Sequence, residues 1–420
     1  MGMAVLLGEK TITEQRLHVA FELSASKWRL GLSDGKSVRQ VVIEAGDVKA
    51  LAVELEKARR RFGLEPRSKT VACYEAGRDG FWLHRWLASV GVENVIVEAA
   101  SIQVDRRARR AKTDRLDVEA LLRMLVRFAG GEQDVWRVVR VPSEAAEDLR
   151  RESRERERLK CEEVQHRNRI RGLLALHGVR LVVAKRFREA VTQVRRWNGE
   201  PLPAGLLAEI LREFDRLEFI QAQLARLEKE HRNRVSPPKS AGKPAKKAKA
   251  RKTTTTAAKE TKTAEAGKAA EETKTADAVT VKIRRLMELR GVGIISATVL
   301  VHELFGWRTF RNRREVGAIA GLCGTPYQSG GPGREQGISK AGNPRVRRTM
   351  IELAWGWLHW QPASKLARSF YEYVGKGDEK TKKRFRKVAV VALARQLLVG
   401  LWHYLEHGVL PEGAVWRSVA

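Results

Sequence analysis

Cysteine is nearly missing: Cys73, Cys161 and Cys323 stand far apart in a chain of 420 residues. An odd, scattered set of thiols excludes a disulfide scaffold and a cysteine zinc site, and it suits a reducing, cytoplasmic setting. Long apolar runs are missing too. No stretch reads as approaching the roughly 18 residues of a membrane span, so no membrane partner is expected. The opening residues, MGMAVLLGEKTITEQ, lack a cationic start and a long apolar segment, and no signal peptide is read there. Acid is in short supply as well. Against 81 Lys and Arg stand 50 Asp and Glu, a net charge of +31. Such an excess opposes a compact monomer and asks for a polyanionic partner, nucleic acid before an anionic membrane surface.

Residues 234–278 have no aromatic, no Leu and no Ile, and read as a disordered Lys/Ala/Thr linker that divides the chain. With 43% hydrophobic residues overall, the flanking segments can build cores. HVAFEL, KWRLGLS and SVRQVVIE alternate as strands, separated by Ser-Ala-Ser and Asp-Gly-Lys turns. DVKALAVELEKARRRFG has helical spacing, TVACYEAG is a fourth strand, FWLHRWLASVG a helix and NVIVEAA a further strand. Three antiparallel strands followed by alternating helices and strands predict an α/β domain of RNase H-like order over 15–135. Two long charged helical stretches within 143–233 predict a helical hairpin or coiled coil, either a dimerising or nucleic-acid-straddling device or a solvated pair. Beyond the linker, 279–410 predicts a mainly α domain. It opens with a segment like a helix-hairpin-helix, whose Gly291 and Gly293 can turn backbone N–H groups toward a phosphate.

Four carboxylates stand out in the first domain. Glu22 ends the first strand and Glu75 the fourth, and these strands are neighbours in RNase H-like topology. Asp114 and Asp117 are three apart and share a helical face. Such a cluster, set among Arg and Lys, is repulsive without cations, and hard oxygen ligands favour Mg2+ or Mn2+. Each acid alone also reads as an ordinary strand-end or helix-start carboxylate, and Thr113-Asp114 suits an N-cap. The preceding run holds Arg106, Arg107, Arg109, Arg110 and Lys112, candidates for phosphate contact.

Glu22 in VAFELSASKW, Glu75 in CYEAGRDGFWLHRWL and the block RRAKTDRLDVEAL resemble the DEDD motif of one group of insertion-sequence transposases, the IS-one-ten group, which includes pilin-gene inverting recombinases. The likeness covers nearly the whole chain except the linker. It implies a RuvC-like domain, a coiled coil, and a C-terminal transposase domain with a nucleophilic serine. By the same resemblance Glu22, Glu75, Asp114 and Asp117 would hold the metal. The group usually has Asp where this chain has Glu22, which lengthens that arm by one methylene. A structured bridge RNA that pairs with donor and target double-stranded DNA is a further implication, as is a dimer or tetramer.

The loop GLCGTPYQSGGPGREQGISKAGNPRVRRTM resembles the block bearing that serine, which maps to Ser329 followed by Gly330. Its glycines let backbone approach a phosphate, and Arg334, Lys340, Arg345, Arg347 and Arg348 can neutralise one. Without the resemblance the same residues read as a Gly-rich hairpin turn. His403 and His407 lack further ligands nearby and read as surface residues. Trp355, Trp357, Trp360 and Trp402 read as core packing before base stacking. The expected function is RNA-guided DNA recombination. Its rivals are a Holliday-junction-type nuclease and a nucleic-acid-binding protein impaired in catalysis.

Overall fold

The computed structural model describes residues 15–102, 113–236, 277–327, 334–378 and 381–417. The chain forms two compact units that divide after Val141.

In the first unit, β1 (Arg16–Leu23), β2 (Lys27–Ser33) and β3 (Val38–Glu44) make an antiparallel meander. β4 (Lys69–Glu75) and β5 (Glu93–Val97) extend it in parallel from the other side of β1. The sheet order is β3-β2-β1-β4-β5. Side chains alternate across a sheet, and here both faces are buried. Leu17, Val19, Phe21, Ala72 and Tyr74 face α1 (Val48–Arg61) and α2 (Trp82–Ser89), packing on Leu51, Leu55, Leu83 and Leu87. Ala20, Val71 and Cys73 face α3 (Asp114–Ala129) through Leu121, Leu122 and Leu125. At Gly31 of β2 the approach is close: a Cβ there would stand 2.5 Å from Val118 Cγ1.

The second unit begins with α4 (Glu144–Ala175) and α6 (Ala204–Val235), two antiparallel helices of 32 residues, each about 48 Å long at 1.5 Å per residue. The short α5 (Phe187–Gln193) closes their far end over Ile170, Leu174, Phe214 and Leu217. Between the helices, buried Glu163 and Glu213 are surrounded by Lys160, Arg167 and Gln221, and by His166, Arg169 and Arg216, so neither charge is left unpaired. The near end joins the C-terminal helices in one core, with Val235 buried beside Ile283 and Leu286. α6 thus runs into the stretch expected to be linker, and residues 277–287 already form α7; the rest of that stretch lies outside the described residues.

α8 (Ile294–Leu300), which continues as a π turn through Phe305, α9 (Arg313–Ile319), α10 (Pro344–Trp360), α11 (Lys365–Gly375) and α12 (Lys382–His407) complete the unit. α12 corrects the reading that no stretch is long and apolar enough to span a membrane. Its apolar residues are spread around the helix because it runs through the core, with Leu393, Ala394, Leu397, Leu398 and Leu401 all buried. A two-stranded hairpin, β6 (Gly324–Tyr327) and β7 (Arg334–Ile338), precedes α10.

Candidate active site and nucleic-acid interface

The first unit brings the sequence-predicted acids to one end of one face. Phe21 of β1 pairs with Tyr74 of β4, so the next residues are neighbours on parallel strands roughly 4.8 Å apart, Glu75 as the last of β4 and Glu22 as the last but one of β1. By alternation both share the face of Ala20 and Cys73, the face α3 covers. Arg16 Nη1 at the start of β1 donates to the Ala129 carbonyl at the end of α3, 3.2 Å away. α3 therefore runs antiparallel to β1. Its 16 residues and the 8 of β1 are similar in length, about 24 and 26 Å, which brings the first turn of α3 to the Glu22 end.

Helical spacing puts Asp114 and Asp117 on the stripe that continues through Val118, Leu121, Leu122 and Leu125 into the core. The local cause is visible. Thr113 Oγ1 accepts from Leu116 N as N-cap, which fixes the helix start and puts Asp114 and Asp117 in the first turn, where the helix dipole favours anions. Thr113, not Asp114, is the cap. Glu75 and Asp114 are exposed, Glu22 and Asp117 half-buried. Across β2, Arg29 pairs with Glu22 on the same face, and its buried Nε has no hydrogen-bond partner.

Among the described residues, no three His, Cys, Asp or Glu side chains are gathered closely enough to share one ion. Glu22 and Glu75 stand side by side, whereas the start of α3 is tied toward β3, where Gln40 Nε2 donates to Arg115 O at 3.5 Å and to Glu119 Oε1 at 2.9 Å. The chemistry of the four acids, carboxylate oxygens only, fits a hard divalent cation, and the strand register sets Glu22 beside Glu75. Arg106, Arg107, Arg109, Arg110 and Lys112, just before Thr113, lie outside the described residues.

In the second unit, Ser329 and Gly330 lie in residues 328–333, outside the described set, in the segment joining β6 to β7. The base of that hairpin is fixed tightly. Ser339 N donates to Cys323 O at 2.8 Å, Lys340 N to Gly321 O at 3.2 Å and Asn343 N to Ile319 O at 2.7 Å. Gly342 approaches so closely that a Cβ would sit 2.3 Å from Ile319 O. Lys340 is held at φ 55°, the left-handed region that a side chain disfavours. Its carbonyl accepts from Arg347 Nη1 at 2.9 Å, and the same nitrogen donates to Ala320 O at 3.1 Å.

Arg347, expected to meet phosphate, is thus committed to backbone at the hairpin base. Arg345 and Arg348 grip Glu157 of α4 from two sides, Arg345 Nε at 2.6 Å. Burial pushes the Glu157 carboxyl up, but Arg348 and Arg345 outweigh it and hold it below its usual range. Both arginines line a cleft of about 610 Å³ between α4, α6, α8 and α10. Arg334 opens β7.

Gly291 and Gly293 also part ways. Gly291, at φ 94°, lies against Trp360, whose Cβ would be 2.9 Å from an added methyl, so its role is packing. Gly293 is exposed and precedes α8. The reading of the tryptophans as core holds for Trp357 and Trp402 but not for Trp355 and Trp360, which are 41% and 44% exposed.

Sequence reasoning missed the buried ionic cluster on the π turn. Glu303, 2% exposed, receives Arg154 Nε and Nη2 at 2.9 and 3.1 Å and Asn343 Nδ2 at 2.8 Å. The available signal was His302-Glu303 inside the otherwise apolar run IISATVLVHELF.

The first unit is thus a mixed α/β sheet with carboxylates at two adjacent strand ends, and the second is mainly helical with a hairpin clamped at its base. Comparison with known proteins points to a transposase. The description "Transposase IS116/IS110/IS902 family" matches residues 283–372, which include the Gly291 turn and the Ser329 loop. "Putative transposase y4rJ" of Sinorhizobium fredii is 38% identical over 411 residues, 96% of this chain and 95% of its own. "Putative transposase y4qE" of the same organism is 25% identical over 350 residues, 79% of this chain and 74% of its own. The transposase for insertion sequence element IS1328 of Yersinia enterocolitica is 34% identical over 71 residues, 17% of this chain and 21% of its own. The chain belongs to the IS116/IS110/IS902 family of insertion-sequence transposases.

Proposed function

We propose that this transposase cuts and rejoins DNA through a serine ester, with the first unit as a RuvC-like metal domain and a structured RNA as guide. The observation that carries the metal assignment is the β1–β4 register, which sets Glu22 and Glu75 side by side near the ends of two parallel neighbours, on the face that α3 covers. The sheet order β3-β2-β1-β4-β5, with its antiparallel first half and parallel second half, supports the RNase H-like reading.

Glu22, Glu75, Asp114 and Asp117 would hold Mg2+ or Mn2+, which when bound neutralises phosphate charge and activates oxygen. Ser329 Oγ attacks the scissile phosphorus. A serine–phosphate ester forms as the bond to the leaving sugar oxygen breaks, the serine proton is lost and the leaving oxygen becomes a hydroxyl. The ester conserves the bond, so rejoining needs no further energy source. Two duplexes must meet for strand exchange, so the working form is a dimer or tetramer, acting on DNA in the cytoplasm. The guide RNA rests on the family resemblance and on the excess of 31 positive charges.

The test is a suicide DNA substrate that traps the first cut. Wild type should yield a DNA-linked protein band, absent in Ser329→Ala, with the adduct on a Ser329 peptide. Asp114→Ala and Asp117→Ala should abolish cleavage in Mg2+ while DNA affinity holds or rises, because repulsion is relieved. Efficient cleavage by Ser329→Ala, with no adduct in wild type, would instead describe a nuclease.

A further inference from the structure

Trp355 on α10 and Tyr373 on α11 are 41% and 40% exposed, whereas Trp357 and Trp402 of the same unit are buried. The two exposed rings belong to one closed chain of contacts. The Arg386 guanidinium of α12 lies 5.7 Å from the Trp355 ring centre. Trp355 meets Phe370 edge-on at 6.1 Å, and Phe370 is 5% exposed, so it anchors the group to the core. Tyr373 follows Phe370 by one turn of α11 and lies against Phe385 at 5.1 Å with the planes 34° apart. Phe385 precedes Arg386 and closes the ring of contacts.

The surroundings are strongly cationic. From 372 to 387 the sequence holds seven Lys and Arg against three Asp and Glu. Lys376, Lys382, Lys383, Arg384, Arg386 and Lys387 are all exposed. Of the acids, Asp378 is engaged within its own loop, where it accepts from Thr381 N at 2.9 Å.

We propose that this α10–α11–α12 face binds single-stranded nucleic acid, with bases stacked on Trp355 and Tyr373 and phosphates on the lysines of the first turns of α12. The pairing of residue types decides the ligand. Cations alone would suit any polyanion, duplex included. Flat aromatic faces add affinity only where bases are unstacked and free to lie on them, which a duplex does not offer. A guanidinium beside the indole reinforces the same use, since it stacks on bases as well as pairing with phosphate. The inference is independent of the acid and serine assignments, because none of those residues belongs to this face.

The test uses the full chain and labelled oligothymidine, oligouridine and a short DNA duplex, read by fluorescence anisotropy over a range of salt. Replacing both rings (Trp355→Leu with Tyr373→Leu) should weaken single-strand binding roughly tenfold or more per ring and leave duplex binding unchanged. Trp355→Phe with Tyr373→Phe should keep single-strand affinity near wild type. Lys382→Gln with Lys383→Gln and Lys387→Gln should flatten the salt dependence on the single strand by about 2 in log–log slope. The tighter of the two oligonucleotides identifies DNA or RNA as the source. Equal losses on strand and duplex, or no loss on the strand, would overturn the proposal. If the Leu pair fails to fold, ultraviolet cross-linking of oligothymidine to wild type decides. Adducts on peptides with Trp355 or Tyr373 support the surface, and adducts confined to other peptides overturn it.

Discussion

Glu303 accepts a 2.8 Å hydrogen bond from Asn343 Nδ2, while Asn343 Oδ1 caps α10 by accepting from Arg345 N at 2.9 Å and Val346 N at 3.3 Å. With Arg154 on the same carboxylate, one buried acid ties together α4, the π turn after α8 and the start of α10. Burial pushes the Glu303 carboxyl up, but Arg154 and Asn343 more than reverse this and keep it ionised. Glu303→Gln leaves Arg154 facing a neutral group. The expected loss is about 2 kcal/mol. It stays at that modest level because Arg154 is 37% exposed and water screens part of the lost attraction. Asn343→Ala should cost about 1–2 kcal/mol through the lost cap. Urea unfolding of the full chain measures both, and an unchanged midpoint in Glu303→Gln would show the carboxylate to be dispensable.

His302 gives the second unit an acid-side weakness. Its ring is 3% exposed, and Nδ1 has no hydrogen-bond partner. Burial first, then the charge of His231, draws its pKa from 6.5 down to about 4, with Glu152 and Glu303 opposing. The unfolded chain keeps the ordinary value, so between pH 6.5 and 4 it binds a proton that the folded chain refuses. Stability is therefore full above that window and falls as pH drops through it, by at most on the order of 3 kcal/mol. His302→Phe removes the titrating ring. Its unfolding midpoint should lose less than wild type between neutral and mildly acidic buffer. Equal losses in the two proteins would place the acid sensitivity elsewhere.

Local features carried most of what the sequence disclosed. The three-strand meander followed from alternation and from the Ser-Ala-Ser and Asp-Gly-Lys turns, all settled within a few residues. The place of Asp114 and Asp117 followed from spacing alone, because Thr113 starts the helix in register with the apolar stripe. Non-local contacts stayed hidden. Arg154 and Glu303 are 149 residues apart, and Glu157 and Arg348 are 191 apart, so no periodicity links them. Composition misled in two places. The tryptophans of α10 have helical spacing, yet Trp355 and Trp360 point away from the core that Trp357 enters. Beyond its cationic first turns, α12 is apolar because much of it packs within the core of the C-terminal helices.

Glu22 tests whether the strand-end pair is a ligand set. The family resemblance gives Asp at this position, so Glu22→Asp should keep or improve strand cleavage in Mg2+. Glu22→Ala should lower cleavage by roughly a hundredfold, as expected when a phosphate-facing group is misplaced or lost. Arg29 stands directly opposite on β2 and loses a cross-strand acid in that variant, so folding should be checked by melting. Normal cleavage by a folded Glu22→Ala protein would make Glu22 structural and require another ligand.

Gly31 controls how closely α3, and with it Asp117, approaches the sheet. A Cβ at Gly31 would fall 2.5 Å from Val118 Cγ1, well inside contact distance, and the nearest backbone atom is Val118 O at 3.7 Å. Gly31→Ala must therefore push the helix or the valine aside, at an expected 1–3 kcal/mol, which marks roughly the range for overpacking. Asp117 adjoins Val118, so the displacement reaches the acids, where a misplacement of about 1 Å should slow cleavage by up to roughly a hundredfold. Val118→Ala alone removes buried methyls and should cost about 1–2 kcal/mol. Combined, the two changes relieve each other, because the new methyl enters space the valine has left. The double variant should be more stable than the sum of the single losses implies, and should recover most of the cleavage lost in Gly31→Ala. Measuring cleavage well below the melting temperature separates placement of Asp117 from simple unfolding. Additive losses, with no recovery of cleavage, would mean that the Gly31–Val118 contact does not set the position of α3.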